Sequence, residues 1–222
     1  MSEPKLDLKN KTAAVIGCGG LGCNAAVHLA GMGIGSLLLF DFDTVSESNL
    51  NRQFLYTHGD IGKSKVFLAA EKLSEYAPRC SIKAFDKKII KEEDLSFAKN
   101  ADALFLAVDN NRTRELAEEF CRENNIPLVN GGINGFSGSA YLYVPGRTPC
   151  LSCAGLTENE SKKIISVSSA AGVIGALQAE IGAKHLSGCD EEIAGVLHIY
   201  DNGEITKLKI KPQRGCGICG VN

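Results

Sequence analysis

The 222-residue sequence contains no tryptophan, only six prolines and four histidines, and almost no net charge. A formal net charge of -2 gives no bulk attraction for polyanions, which argues against nucleic-acid binding. No uninterrupted apolar run is long enough to cross a bilayer, and the charged first eleven residues do not resemble a secretory signal. These absences predict a cytoplasmic protein without a membrane segment.

Cysteine, in contrast, is abundant, with nine in the chain. Disulfides are disfavoured in a reducing compartment, and an odd number could not pair completely. Four cysteines form two Cys-x-x-Cys pairs, which favour a closed tetrahedral site for structural zinc over the alternative of a redox motif. The predicted metal ligands are Cys150, Cys153, Cys216 and Cys219. The other five are expected to be small core residues: Cys18, Cys23, Cys80, Cys121 and Cys189.

Apolar runs alternate with helical patterns along most of the chain. This alternation predicts a Rossmann-like α/β fold, doubly wound and mostly parallel, with antiparallel C-terminal strands in a single domain over residues 1–222. The predicted strands are 12–17, 36–41, 81–90, 102–108, 128–130, 139–144, 195–200 and 204–211. The predicted helices are 20–32, 60–76, 112–125 and 168–186.

A glycine-rich turn follows the first predicted strand. Gly17, Gly19 and Gly22 have the Gly-x-Gly-x-x-Gly spacing between a strand and a helix. Such glycines permit a tight turn, and the helix N-terminus offers unpaired N–H groups to a phosphate. Asp41 ends the next strand, where dinucleotide enzymes keep a ribose-binding acid. The turn alone is also compatible with simple strand–helix packing, and with Asp41 an NAD-dependent dehydrogenase is a rival interpretation.

Two basic residues and a second acid favour phosphate chemistry over hydride transfer. Arg52 and Lys65 lie in polar segments after Asp41, and Asp109 lies just past the end of a buried strand. In open α/β sheets that edge binds ligands. The plainer alternatives are solvated surface charge for the two cations and a helix N-cap for Asp109. An oxidoreductase needs no cations directed at an α-phosphate, so the combination favours a reacting nucleotide.

Together these features resemble the ThiF/MoeB/HesA family, whose members are similar to the adenylation domain of ubiquitin-activating enzymes. The resemblance extends over roughly residues 10–220 and agrees in order and spacing. The segments that carry it are Gly17–Gly22, Asp41-Phe42-Asp43, Ser48–Gln53, Gly62 with Lys65, Asp109-Asn110 and the two Cys-x-x-Cys pairs.

The resemblance implies an ATP-dependent adenylyltransferase. Such a protein activates the C-terminal glycine carboxylate of a ubiquitin-like sulfur carrier as an acyl-adenylate and releases pyrophosphate, in thiamine or molybdopterin biosynthesis. It implies that Arg52 and Lys65 neutralise the phosphates and that Asp109 holds Mg²⁺. The implied nucleotide-binding residues are Gly17, Gly19, Gly20, Gly22, Asp41, Asp43, Ser48, Asn49, Arg52, Gln53, Lys65, Asp109 and Asn110.

The implied partners are a sulfur carrier ending in Gly-Gly, a separate sulfur donor protein and a second copy of the chain in a homodimer. The sequence departs from many family members at two points. The eleven residues before the first strand contain no arginine that could reach a partner's ATP site, and residues 154–188 contain no cysteine for a covalent carrier link. Adenylation without covalent transfer is therefore expected. A relative acting on modified tRNA and a non-catalytic nucleotide-dependent scaffold are the further alternatives.

Overall fold

The computed structural model describes residues 6–157 and 166–219. Eight strands form one sheet in the order β3-β2-β1-β4-β5-β6-β7-β8. The strands are β1 (Thr12–Ile16), β2 (Ser36–Asp41), β3 (Ser81–Asp86), β4 (Ala103–Leu106), β5 (Leu128–Asn134), β6 (Ser137–Tyr143), β7 (Val196–Asp201) and β8 (Glu204–Lys209). The helices are α1 (Gly20–Gly31), α2 (Lys65–Tyr76), α3 (Asn111–Asn124) and α4 (Ser168–Leu186), with short 3₁₀ turns at Glu47–Asn49, His58–Asp60 and Glu92–Ala98.

The sheet has a parallel half and an antiparallel half. Strands β3, β2, β1, β4 and β5 are parallel, whereas β5 to β8 pair antiparallel in chain order. The chain leaves β1 on one side to build β2 and β3, and later returns to β1's other side with β4. This arrangement places a topological switch point between β1 and β4, where open α/β sheets bind ligands. The predicted fold class is confirmed.

Apolar layers cover both faces of the sheet. In β1, Ala13 and Val15 belong to one buried cluster and Ala14 and Ile16 to the other. Helices α1, α2 and α4 contribute to the first cluster, and α3 with the 3₁₀ turn Glu92–Ala98 contributes to the second. Burial on both faces explains why the central strands appear in the sequence as continuous apolar runs.

Three predicted boundaries differ from the structure by several residues, for reasons that lie in the backbone and its pairing. The helix expected from residue 60 begins only at Lys65, because Gly62 has a left-handed φ of +86° and interrupts the helix. The strand expected over residues 81–90 ends at Asp86, which pairs with Asp41, the last residue of β2. Residues 87–90 then leave the sheet. Strand β5 is longer than the predicted 128–130 because β6 pairs along its whole length.

The C-terminal hairpin has the predicted turn. Asn202 and Gly203 both have positive φ, of 47° and 100°, as in the two-residue turns that match the twist of a hairpin. Every residue of β8 is exposed, in keeping with its place at the end of the sheet. Among the described residues, no helix is both long and apolar enough to cross a membrane.

Helix α4 packs closely on its neighbours through glycine. An ideal Cβ on Gly175 would lie 2.4 Å from Asn24 Cβ and 2.8 Å from the carbonyl oxygen of Leu21, whereas one on Gly172 would meet nothing nearer than 3.9 Å. We expect Gly175→Ala to lower the free energy of unfolding by about 1–3 kcal/mol through overpacking. The matched Gly172→Ala change is expected to raise it by up to about 1 kcal/mol. Equal urea midpoints for the two variants would contradict this close packing.

Candidate functional site

A cavity of about 760 Å³ opens at the carboxyl ends of β1, β2, β4 and β5, at the switch point of the sheet. Six cationic and three acidic side chains line it, so its lining carries a net positive charge. The structure brings together eleven of the predicted nucleotide-binding residues here: Gly17, Gly19, Gly20, Asp41, Asp43, Asn49, Arg52, Gln53, Lys65, Asp109 and Asn110. Gly22 and Ser48 are not part of the cavity lining.

The glycine turn is the tightest backbone feature of the site. Gly17 has a φ of +96°, and a Cβ there would lie 2.6 Å from the carbonyl oxygen of Ala107 on the neighbouring strand. A Cβ on Gly22 would lie 1.7 Å from the carbonyl oxygen of Gly17. Gly22 therefore serves the close approach of α1 to the turn, whereas Gly19 and Gly20 line the cavity at the helix N-terminus.

Asp41 supports the glycine turn from the end of β2. Its Oδ2 accepts a hydrogen bond from the backbone N–H of Cys18 at 2.6 Å, and its Oδ1 accepts one from the N–H of Asp43 at 2.8 Å. Burial raises the pKa of Asp41, and the two backbone N–H groups oppose that rise. Each oxygen keeps a free lone pair, so the carboxylate can still accept from a ribose hydroxyl.

Arg52 and Gln53 pack against the glycine turn, where a Cβ on Gly20 would lie 3.3 Å from Arg52 Cγ. Nη1 of Arg52 donates to the carbonyl oxygen of Ser48 at 2.9 Å and to Oδ1 of Asn51 at 2.8 Å. Among the described residues, this guanidinium is held by neutral oxygens alone. Ser48 thus orients Arg52 through its backbone. The Oε1 of Gln53 is buried and has no hydrogen-bond partner among the described residues. A buried acceptor in a cavity wall suits a donor on a bound ligand.

Lys65 is the most buried of the predicted cations. It is 5% exposed, begins α2, and its Nζ lies 3.0 Å from Oδ2 of Asp43. A cation in the first turn of a helix opposes the helix dipole, and no acidic residue accompanies it in that turn. This local conflict is typical of a functional position.

Asp109 and Asn110 lie between β4 and α3. Asn110 is the N-cap of α3, and its Oδ1 accepts from the N–H of Thr113 at 2.9 Å, so the cap role considered for Asp109 belongs to the next residue. Within the described ranges, the Asp109 carboxylate has no hydrogen bond or ion pair of its own and lines the cavity. A carboxylate facing a polyanion site suits Mg²⁺, which binds through one or two carboxylates and substrate phosphates.

The candidate metal centre lies on the other side of α3. The Sγ atoms of Cys150, Cys153, Cys216 and Cys219 all lie within 4.8 Å of one another. Cys150 Sγ is 3.6 Å from Cys216 Sγ, and Cys153 Sγ is 3.8 Å from Cys219 Sγ. The edge of a tetrahedron with zinc–sulfur bonds of ~2.3 Å is about 3.8 Å, so the four sulfurs fit a zinc ion.

The protein environment acts in opposite directions on the thiols of this centre, since burial raises the pKa of Cys150 and of Cys153. Backbone N–H groups of Cys219 and Ile218 lower the pKa of the Cys216 thiol to about 6. The N–H of Gln213 donates to Sγ of Cys153 at 3.3 Å. Behind the first pair, Oε1 of Glu118 on α3 accepts from the N–H of Leu151 at 2.6 Å and so fixes the loop that carries Cys150. This supporting shell is typical of structural zinc sites.

The other cysteines follow the core interpretation, with one exception. Cys18, Cys23, Cys80 and Cys121 are buried, but Cys189 is exposed, so its prediction as a core residue is wrong. Cys189 directly follows the Gly188 turn that ends α4, which places it on the surface. The segment without cysteine between 154 and 188 lies partly outside the described residues, which resume at 166.

The sequence interpretation missed several residues of the cavity wall. Lys87 to Ile90 line it because β3 ends earlier than predicted, and Gly132 and Ile133 line it because β5 is longer. Arg112, Arg114 and Ser166 complete that wall. None of these belongs to a motif with its own spacing. Only the basic pair in Asn111-Arg112-Thr113-Arg114, unusual at a helix start, could have signalled them.

Comparisons with known proteins show similarity along most of the chain. The model of the ThiF family matches residues 2–218. The chain is 32% identical to the sulfur carrier protein ThiS adenylyltransferase of Escherichia coli K12, over 96% of this chain and 87% of that protein. It is 31% identical to the molybdopterin-synthase adenylyltransferase of the same strain, over 96% and 88%.

Longer proteins and a solved structure extend the comparison. The chain is 32% identical to the adenylyltransferase and sulfurtransferase MOCS3 of Drosophila yakuba, over 99% of this chain and 50% of that protein. The chain thus spans about half the length of this relative. The crystal structure of E. coli MccB with ATP superimposes with a TM-score of 0.86 at 25% identity, covering 96% of this chain and 67% of MccB.

Proposed function

The chain belongs to the ThiF family, and from that premise we propose that it is an ATP-dependent adenylyltransferase of a ubiquitin-like sulfur carrier protein. The observation that carries the proposal is the convergence, in one cavity, of the glycine turn, Arg52, Lys65 and Asp109. The names of the E. coli relatives, which act on ThiS and in molybdopterin synthesis, support this substrate class.

In the proposed reaction, the carrier's C-terminal carboxylate attacks the α-phosphorus of ATP. A bond forms between a carboxylate oxygen and that phosphorus, the bond from phosphorus to the bridging oxygen breaks, and its electron pair leaves with pyrophosphate. No proton has to move, so the reaction needs charge neutralisation and alignment more than a general base. This requirement matches a cavity in which cationic side chains outnumber acidic ones by six to three.

Different residues of the cavity bind the nucleotide and receive the carrier. The N–H groups at the start of α1 and the cations Arg52 and Lys65 bind phosphate oxygens, and Asp41 accepts from the ribose. Asp109 would hold a Mg²⁺ ion, which when bound offsets the charge of the phosphates. The carrier's peptide terminus would approach beside Gly132 on β5, which lines the cavity without a side chain of its own.

The proposal extends to the partners and the wider setting. The carrier ends in Gly-Gly, the sulfur comes from a separate donor protein, and two copies of the chain form a homodimer in the cytoplasm. The thiamine or molybdopterin pathway is the setting that the named relatives favour. The four-cysteine centre holds structural zinc and takes no part in the adenylation reaction. The chain acts as one domain.

The test is exchange of labelled pyrophosphate into ATP in the presence of candidate carriers. We expect exchange only with a carrier whose C-terminal Gly-Gly is intact, because a tail one residue shorter would hold its terminal carboxylate about 3.5 Å further from the α-phosphorus. The matched control is the same carrier lacking its last glycine, which should give no exchange. Absence of exchange with ThiS-like and MoaD-like carriers, together with tight NADH binding, would contradict the proposal and favour a dehydrogenase.

A further inference from the structure

A mostly buried arginine forms part of the cavity wall that carries Asp109. Arg114, on the first turns of α3, is only 8% exposed. Its Nη2 donates to the carbonyl oxygen of Val108 at 2.7 Å, and its Nη1 donates to Oδ1 of Asn130 at 2.7 Å and to the carbonyl oxygen of Gly131 at 3.4 Å. Within residues 6–157 and 166–219 the guanidinium forms no ion pair, so its donors are committed to neutral oxygens.

These hydrogen bonds continue the sheet where its ladder stops. The ladder between β4 and β5 ends with the pair Leu106 and Asn130. Val108 lies two residues beyond that pair, where the register gives it no partner on β5. Arg114 spans the gap, with one nitrogen on Val108 and the other on β5. It thereby fixes the backbone immediately before Asp109.

A second contact fixes the backbone on the other side. The Oδ1 of Asn110 accepts from the N–H of Thr113, which ties the residue after Asp109 to the first turn of α3. Asp109 is therefore held between two anchored neighbours, although its own carboxylate is free to bind a ligand. Ligand-binding carboxylates depend on such supporting contacts for their orientation.

The energetics argue against a role in stability alone. Burial lowers the pKa of Arg114, and the nearby Asp109 carboxylate opposes that change. Burying a guanidinium without an ionised partner costs free energy that an apolar side chain of similar size avoids. A charged residue kept here at that cost is better explained by what it does for Asp109.

We propose that Arg114 is a positioning residue, which fixes Val108 so that the Asp109 carboxylate meets the magnesium ion of bound ATP. The inference rests on the proposed function, in which Asp109 holds that ion. It assigns Arg114 no direct contact with the reacting atoms.

The test is a titration of the protein with Mn²⁺ in the presence of ATP and without a carrier, followed by electron paramagnetic resonance. We expect Arg114→Met to weaken Mn²⁺ binding about 10- to 100-fold, the usual cost of losing a supporting contact behind a metal ligand. Arg114→Lys is expected to fall in between, because one ammonium group cannot hold both strands. The control is Arg122→Met, near the far end of the same helix, where Arg122 is 3.8 Å from Glu119.

Unchanged Mn²⁺ affinity in Arg114→Met, with a lower melting temperature, would reduce Arg114 to a structural residue and overturn the proposal. If Arg114→Met does not fold, Arg114→Lys decides by the same criterion. In the exchange assay of Arg114→Met, the half-saturating Mg²⁺ concentration is expected to rise above that of the wild type, while KM for the carrier stays constant. A wild-type protein without exchange activity would defeat the proposed function and leave the Mn²⁺ titration as a valid test of Arg114.

Discussion

Replacing Lys65, Arg52 or Asp109 with alanine is expected to lower carrier-dependent ATP–pyrophosphate exchange by about 10²- to 10³-fold. The largest effect is expected at Lys65, because its ammonium group is buried, where a charge interacts more strongly than in water. The measurement is the initial rate of exchange at saturating ATP and carrier. Circular dichroism and melting temperature confirm that each variant is folded.

The matched control is Lys63→Ala, two residues before Lys65. The Lys63 side chain is 59% exposed, and its Nζ lies 3.4 Å from Asp60, outside the cavity lining. This variant is expected to keep the wild-type rate. Loss of Lys65 also removes its ion pair with Asp43, but the Asp43 side chain is 52% exposed and can be solvated. Because the carboxylate left behind is exposed, the loss stays below the roughly 3–5 kcal/mol of breaking a fully buried pair. Equal rates for the two lysine variants would refute the role of Lys65.

Replacing Cys216 with serine is expected to release a bound zinc ion and destabilise the C-terminal segment. Structural zinc contributes about 10–16 kcal/mol of apparent binding free energy in zinc-finger peptides. Even part of that amount is large against the ~5–15 kcal/mol total stability of a domain. We expect one zinc per wild-type chain by elemental analysis, little in the variant, and a melting temperature that falls in both the variant and the chelated wild type.

Cys189→Ser is the control for this experiment. Cys189 is exposed and stands apart from the four-cysteine cluster, so its replacement is expected to change neither the zinc content nor the melting temperature. Wild-type protein without zinc after purification in zinc-containing buffer would contradict the metal assignment. A redox pair would then be the better interpretation, and sensitivity of the melting temperature to reductant would identify it.

The sequence was sufficient for features that depend on local pattern. Helix α4 has the predicted bounds, Ser168–Leu186, because its small residues and the closing Gly188 lie within one segment. The glycine turn and the two Cys-x-x-Cys pairs were recognisable because their chemistry requires fixed spacing. The sequence was not sufficient for features that depend on pairing with residues far away in the chain. The end of β3 depends on where β2 ends, and the length of β5 depends on its pairing with β6.

The same distinction applies to the site. Lys65 was found as a basic residue in a polar segment after Asp41, and Asp109 as an acid just past the end of a buried strand. Arg114 was missed because it is buried against Asn130, which lies sixteen residues further along the chain on strand β5. The sequence also gave no reason to separate Gly22 from the glycines that face the cavity. The difference between these glycines lies in which atoms would surround a Cβ at each position, and only the folded structure shows those atoms.

The separation of the two cysteine pairs has a consequence for the order of folding. Cys150 and Cys216 are 66 positions apart, with α4 and the β7–β8 hairpin between them. In a zinc finger the ligands are close in the chain, so the ion can nucleate the fold. Here the entropy of closing so long a loop must be offset by β-pairing before four thiolates can meet. Zinc would therefore bind late in folding and stabilise a sheet that has already assembled.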